Sequence, residues 1–100
     1  MNLLEQYNDI IQKLCDQHKV RSLYAFGSVI TDDFKSDSDV DLIVDFEPID
    51  MEGYADNYFD FKFSLENTLK RPIDLLEEKA LKNPYFRQAI NQNRKLVYAH

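Results

Sequence analysis

Residues 26–46 read FGSVITDDFKSDSDVDLIVDF, and five aspartates, Asp32, Asp33, Asp37, Asp39 and Asp41, fall within ten of these positions. Like charges at that density repel one another, so the cluster calls for a counter-charge. Side chains at i and i+2 of a strand share a face. If the apolar run after Asp39 is a strand, Asp39 and Asp41 point the same way at its start, with Cα atoms roughly 6.6 Å apart. Two such carboxylates can converge on a divalent cation, or flank two metal ions about 3.5–4 Å apart. With Mg²⁺ bound, the repulsion becomes the binding force. Asp37 forms a rival Asp-x-Asp pair with Asp39. The 39/41 pair is preferred because Asp41 enters the strand while Asp37 stays in the loop.

Asp74, in the stretch PIDLL, offers a third carboxylate on another expected strand. If the two strands are neighbours, Asp74 completes the cluster; one metal would then activate an attacking oxygen while the other holds phosphates. Gly27-Ser28 would serve the phosphate side. Glycine at the end of a strand lets backbone approach a ligand closely, and a helical turn starting near Ser28 would aim free N–H groups and a hydroxyl at an anion. Each feature has a plain structural reading by itself: Gly-Ser as a turn, SDSD as capping or loop residues, Asp74 as a solvent-facing strand residue. Their combination is what points to a site.

The elements that must hold these residues follow from apolar spacing. Leu3, Leu4, Tyr7, Ile10, Ile11, Leu14 and Cys15 fall at helical intervals, which predicts an amphipathic helix. His18 and Lys19 at its end suit the helix dipole. Strands are expected over 21–26, 40–46 and 71–77, with Pro72 near the start of the last, where a missing N–H is tolerated. The stretch FEPIDMEGYADN, 46–57, reads as a loop because of Pro48, Gly53 and its acids. NYFDFKFSLENTLK, 57–70, fits both periods; a helix is expected because Leu65 and Leu69 extend the helical set without a breaker. Asn83-Pro84 predicts an N-cap followed by proline in the first turn of a short helix. RKLVYA, 94–99, reads as a last strand or an ordered tail. The aromatic segment 54–63 reads as core or as an interface. Strands separated by helices predict an α/β (α+β) fold: a small mixed sheet with helices packed on it.

Size and composition are consistent with one domain over residues 1–100. The net charge of −6 argues against general binding to nucleic-acid backbone, which needs clustered Lys and Arg. Cys15 is the single cysteine, so no internal disulfide can form, and its place on the apolar stripe reads as a core thiol. No charged leader precedes an apolar segment, and no apolar run reaches about 18 residues; the expected compartment is the cytoplasm.

Ser28, ten intervening residues, then Asp39-Val40-Asp41-Leu42 resembles the signature of the nucleotidyltransferase superfamily typified by DNA polymerase β. RPIDLL resembles its later strand with a third aspartate, and the chain's small size is similar to the minimal nucleotidyltransferases, the MNT group. The resemblance implies a nucleotidyltransferase fold in which Asp39, Asp41 and Asp74 bind two Mg²⁺ ions and serve catalysis. Gly27 and Ser28 would grip the triphosphate of ATP or another NTP. The implied reaction moves a nucleoside monophosphate to a hydroxyl and releases pyrophosphate, the third aspartate helping to orient or deprotonate that hydroxyl. Members of this kind commonly pair with a small all-helical HEPN-type protein, often as the antitoxin of a toxin–antitoxin couple, and modify a partner tyrosine with AMP. No base-selecting lobe is present, so a partner or a second copy in a homo-oligomer would have to select base and acceptor. The sequence departs from many minimal members at Val29, Thr31 and Asp32, where they carry Arg and Arg-Gly. Lys35 is either a compensating cation or a solvated surface residue. Two other functions stay open: a non-catalytic module that neutralises a helical partner through a vestigial nucleotide site, and a metal-binding or structural protein without transfer chemistry.

Overall fold

Val40, Leu42, Val44 and Phe46 alternate with Asp41, Ile43 and Asp45, and this period of two builds the central part of a sheet. The computed structural model describes residues 2–30 and 39–100, the side chains of Asn2, Ser28 and Met51 aside. Its elements run α1 (Asn2–Gln6), α2 (Asn8–Gln17), β1 (Val20–Phe26), a 3-10 turn (Gly27–Ile30), β2 (Val40–Phe46), α3 (Met51–Leu69), β3 (Ile73–Glu77), a second 3-10 turn (Glu78–Ala80), α4 (Pro84–Asn93) and β4 (Lys95–Ala99). The four strands stand in the order β3-β2-β1-β4. β1 is antiparallel to β2 and to β4, whereas β2 and β3 are parallel. A parallel pair needs a long crossover, and α3 supplies it. The sheet is therefore mixed, as the sequence predicts.

Both faces of the sheet are covered. On one, Leu23 and Ala25 of β1, Val40, Leu42, Val44 and Phe46 of β2, and Ile73 and Leu75 of β3 pack with Leu4, Ile11, Cys15, Phe61, Leu65 and Leu69 from the first three helices. On the other, Ile43 packs with Leu81 and Ile90, bordered by Tyr24, Phe26 and Leu76. Burial from both sides explains the unbroken apolar run Leu42-Ile43-Val44 in β2. Cys15 is a core thiol as expected, and burial pushes its pKa up to about 12. α4 is fixed on the second face by its ends. Asn83 Oδ1 accepts from the N–H groups of Tyr85 and Phe86, and Pro84 occupies the first turn. Glu78 binds both Arg87 and Arg94, at 3.1 and 2.6 Å, and the Arg94 guanidinium lies 4.1 Å from the centre of the Tyr24 ring.

Two expectations need correction. The segment read as a loop over 46–57 is helical from Met51 onward. Gly53 sits in the first turn, where a glycine interrupts no established helix, and Glu52 there suits the positive end of the dipole; the residues read as breakers are tolerated at that position. The first expected helix is divided at Tyr7, whose φ of −104° and ψ of 17° leave the helical range. The Tyr7 N–H still donates to the Leu3 carbonyl and the Tyr7 carbonyl accepts from Ile11, so the apolar stripe continues across the break. The C-terminal segment is a strand, paired with β1. The aromatic segment divides its roles: Phe61 is fully buried, whereas Phe59 and Phe63 stack on each other at the exposed side of α3.

Candidate active site

Strand direction brings the sequence-predicted aspartates together. β1 is antiparallel to β2, so its C-terminal end lies beside the start of β2, and Phe26 pairs with Asp41. β2 and β3 are parallel, so their N-terminal ends lie side by side, and Asp41 pairs with Asp74. Registered residues of adjacent strands share a face, so these two carboxylates stand together on the side that carries Ile43 and Leu76. Asp39 lies two residues before Asp41, just outside the strand.

Gly27 closes the other side of the site. Its φ is +73°, a value that side-chain-bearing residues rarely adopt. A Cβ at this position would stand 2.5 Å from Asp41 Oδ2. Glycine therefore both permits the turn out of β1 and leaves room beside the Asp41 carboxylate. The turn predicted near Ser28 is present as the 3-10 segment Gly27–Ile30. The expected role of the Ser28 hydroxyl lies outside the described side chains. Val29 is buried in the larger core, 3% exposed. A cation at position 29 would have to leave that core to reach the site. Thr31, Asp32, Asp33, Lys35 and Asp37 lie outside the described residues.

The electrostatics follow from this packing. Asp41 is half-buried, and its pKa is raised, first by burial and then by the charges of Asp74 and Asp39. Asp39 and Asp74 are exposed. Among the described residues, no group of three or more His, Cys, Asp and Glu side chains is closed around a metal-sized point. The structure brings Asp41 and Asp74 together, and Asp39 acts on Asp41 through its charge. The donor set fits a hard cation. It is all carboxylate oxygen, mutually repelling and half open to water, and Mg²⁺ binds with a few carboxylates while keeping several waters. Two surface cavities, of about 270 and 470 Å³, are lined by other residues: Leu4, Glu5, Asn8, Leu96 and Val97 for one, and a group around Lys19 and Asp50 for the other.

Sequence reasoning assigned no site role to Tyr58 or Glu66. The Tyr58 hydroxyl donates to the Leu75 carbonyl, and a Glu66 carboxylate oxygen accepts from the Ile73 N–H at 3.0 Å. Both partners flank Asp74. Their spacing of two helical turns on α3 is a signal legible in the sequence, but only once α3 is known to pass β3.

The family model described as polymerase beta, nucleotidyltransferase matches residues 8–100. A protein adenylyltransferase, MntA, from Thermococcus cleftensis is 30% identical over 98% of this chain and 97% of its own length. A Methanocaldococcus jannaschii protein provisionally named a protein adenylyltransferase is 29% identical over 98% of this chain and 99% of its own. A solved structure described provisionally as a minimal nucleotidyltransferase superposes with a TM-score of 0.74 at 28% identity, over 92% of this chain and 90% of that one. Two further likenesses are of fold. A toxin–antitoxin crystal structure with AMP-PNP gives a TM-score of 0.69 at 20% identity, over 93% and 73% of the two chains. A Shewanella oneidensis complex of a tri-AMPylated HEPN toxin with an MNT antitoxin gives 0.65 at 18%, over 97% and 73%.

Proposed function

The chain belongs to the polymerase beta nucleotidyltransferase family, whose model spans residues 8–100, and from that premise we propose that it transfers AMP from ATP to a tyrosine hydroxyl of a small helical HEPN-type partner, acting as an antitoxin. Residues 1–100 act as one domain, in the cytoplasm. The observation that carries this reading is the registered pair Asp41 and Asp74, with Gly27 held open against Asp41. The names and descriptions of the related proteins supply the class of acceptor.

Asp39, Asp41 and Asp74 are the residues that would hold Mg²⁺, two ions in the full complex. Magnesium held there would neutralise the triphosphate and polarise its oxygens. The protein's own contribution is positioning and fixed charge. Gly27 lets the backbone of its turn approach the phosphates, and the Ser28 hydroxyl contacts them. Asp74, exposed at the edge of the sheet, orients the incoming tyrosine hydroxyl and accepts its proton. The phenolic oxygen forms a bond to the α-phosphorus, the bond from that phosphorus to the bridging oxygen breaks, and pyrophosphate leaves with the electron pair.

The test is transfer of label from α-³²P-ATP to a HEPN-type protein co-expressed with this chain, with Mg²⁺. Asp39→Asn and Asp41→Asn are each expected to lower transfer about a hundred- to a thousandfold, the order that loss of one group stabilising developing charge costs, while circular dichroism stays unchanged. Neutralisation of the partner by the double variant, at full strength and without transfer, would instead identify a non-catalytic binding module.

A further inference from the structure

Asp74 stands on an edge strand. Among the described residues, β3 has a strand neighbour, β2, on one side only. The Val40 N–H donates to the Pro72 carbonyl at 3.0 Å, which fixes the direction of the backbone groups. Those of Pro72, Asp74 and Leu76 face β2, and those of Ile73 and Leu75 face outward. An edge strand leaves such outward groups unpaired. This edge also carries a carboxylate that the charge of Asp41 repels.

α3 meets both outward residues on either side of Asp74. Glu66 accepts the Ile73 N–H at 3.0 Å, and the Tyr58 hydroxyl donates to the Leu75 carbonyl. The donor and acceptor roles match those a further strand would bring, an acceptor for the N–H and a donor for the C=O. The helix runs opposite to β3, so the later residue of the helix meets the earlier residue of the strand. Tyr58 is held as a neutral donor: burial first, then the charges of Glu77 and Asp74, raise its pKa. Its ring also packs against the larger core.

We propose that Tyr58 and Glu66 are positioning residues: together they pin β3 on both sides of Asp74 and hold that carboxylate opposite Asp41 before any metal arrives. This rests on the reading of Asp41 and Asp74 as the metal-binding pair. Neither Tyr58 nor Glu66 touches substrate; each acts through the backbone of the strand.

The experiment uses the full chain, free of nucleotide, with Tyr58→Phe, Glu66→Leu, Glu66→Gln and the double variant Tyr58→Phe/Glu66→Leu. Amide hydrogen exchange without metal is expected to quicken about tenfold at Asp74 and Leu76 in the double variant, while Leu23 and Ala25 of β1 keep their rates. Mn²⁺ titration is expected to give a Kd weakened about fivefold in Tyr58→Phe and in Glu66→Leu, the factor a net hydrogen bond supplies. Glu66→Gln keeps an oxygen acceptor, and its Kd stays within about twofold of the unsubstituted protein. If the double variant does not fold, Tyr58→Phe, which keeps the ring, carries the test. Unchanged exchange in β3, or unchanged Mn²⁺ affinity in folded variants, overturns the inference. Failure of the unsubstituted chain itself to bind Mn²⁺ overturns the metal-site reading beneath it.

Discussion

At Asp41, burial and two neighbouring carboxylates all favour the protonated form, and the pKa is raised accordingly. A carboxyl whose folded pKa exceeds its unfolded value binds its proton more tightly in the native state. Its contribution to stability is therefore complete below the unfolded pKa and is lost as pH rises through the folded one. In the metal-free protein at neutral pH, Asp41 is a cost to folding. Asp41→Asn is expected to raise the melting temperature at pH 7 by about 1–3 °C, a small shift because the group is half open to solvent. The gain should shrink as pH falls through the carboxylate range, to nothing below about pH 3. Calorimetry across that range checks it, and a variant that melts below the unsubstituted protein at pH 7 contradicts it. The strand that carries Asp41 was legible because its apolar residues alternate along 40–46, whereas Asp39 falls just before it. The approach of Gly27 to Asp41 was not, because nothing local to either residue states which strands pair.

At the scale of elements, α3 and its exit govern where β3 starts. The helix ends at Lys70 in the left-handed conformation, φ 58° and ψ 39°, and the Lys70 N–H donates to the Glu66 carbonyl at 2.8 Å. Glycine is the residue best suited to this cap. Lys70→Gly relieves the crowding of the lysine Cβ and is expected to stabilise the fold by about 0.5–1 kcal/mol, read as a higher urea midpoint with an unchanged slope. Strands β1, β2 and β3 and the Asn83 cap of α4 match the sequence-based expectation closely. The start of α3 does not, because Pro48, Gly53 and clustered acids describe a loop and a helix N-terminus equally well. Propensity cannot choose between the two; the packing of Tyr54 against Phe46, ring centres 5.7 Å apart, favours the helix.

For the molecule as a whole, a metal bound at the proposed carboxylate site would relieve the repulsion there and stabilise the fold. A ligand that binds the native state alone shifts the folding equilibrium in its favour. Mg²⁺ at about ten times its dissociation constant is expected to add about 1.4 kcal/mol, a rise in melting temperature of roughly 5–10 °C for a chain of this size. Asp41→Asn should abolish most of the rise. Equal melting temperatures with and without millimolar Mg²⁺ would remove the metal from the proposed mechanism. The second face of the sheet matters here too. Glu78, Arg87, Arg94 and Tyr24 hold α4 over Ile43, on the same side of β2 as Asp41.

The sequence by itself determined the strands that carry Asp41 and Asp74 and the mixed α/β character, because alternation and helical periodicity are local properties of a chain. Only the tertiary structure decided that Asp74 faces Asp41, that Gly27 must lack a side chain, and that Tyr58 and Glu66 grip the free edge of β3. Each of these depends on which strands pair, in which direction and in what register, and that choice is made by burying two apolar faces of one sheet together.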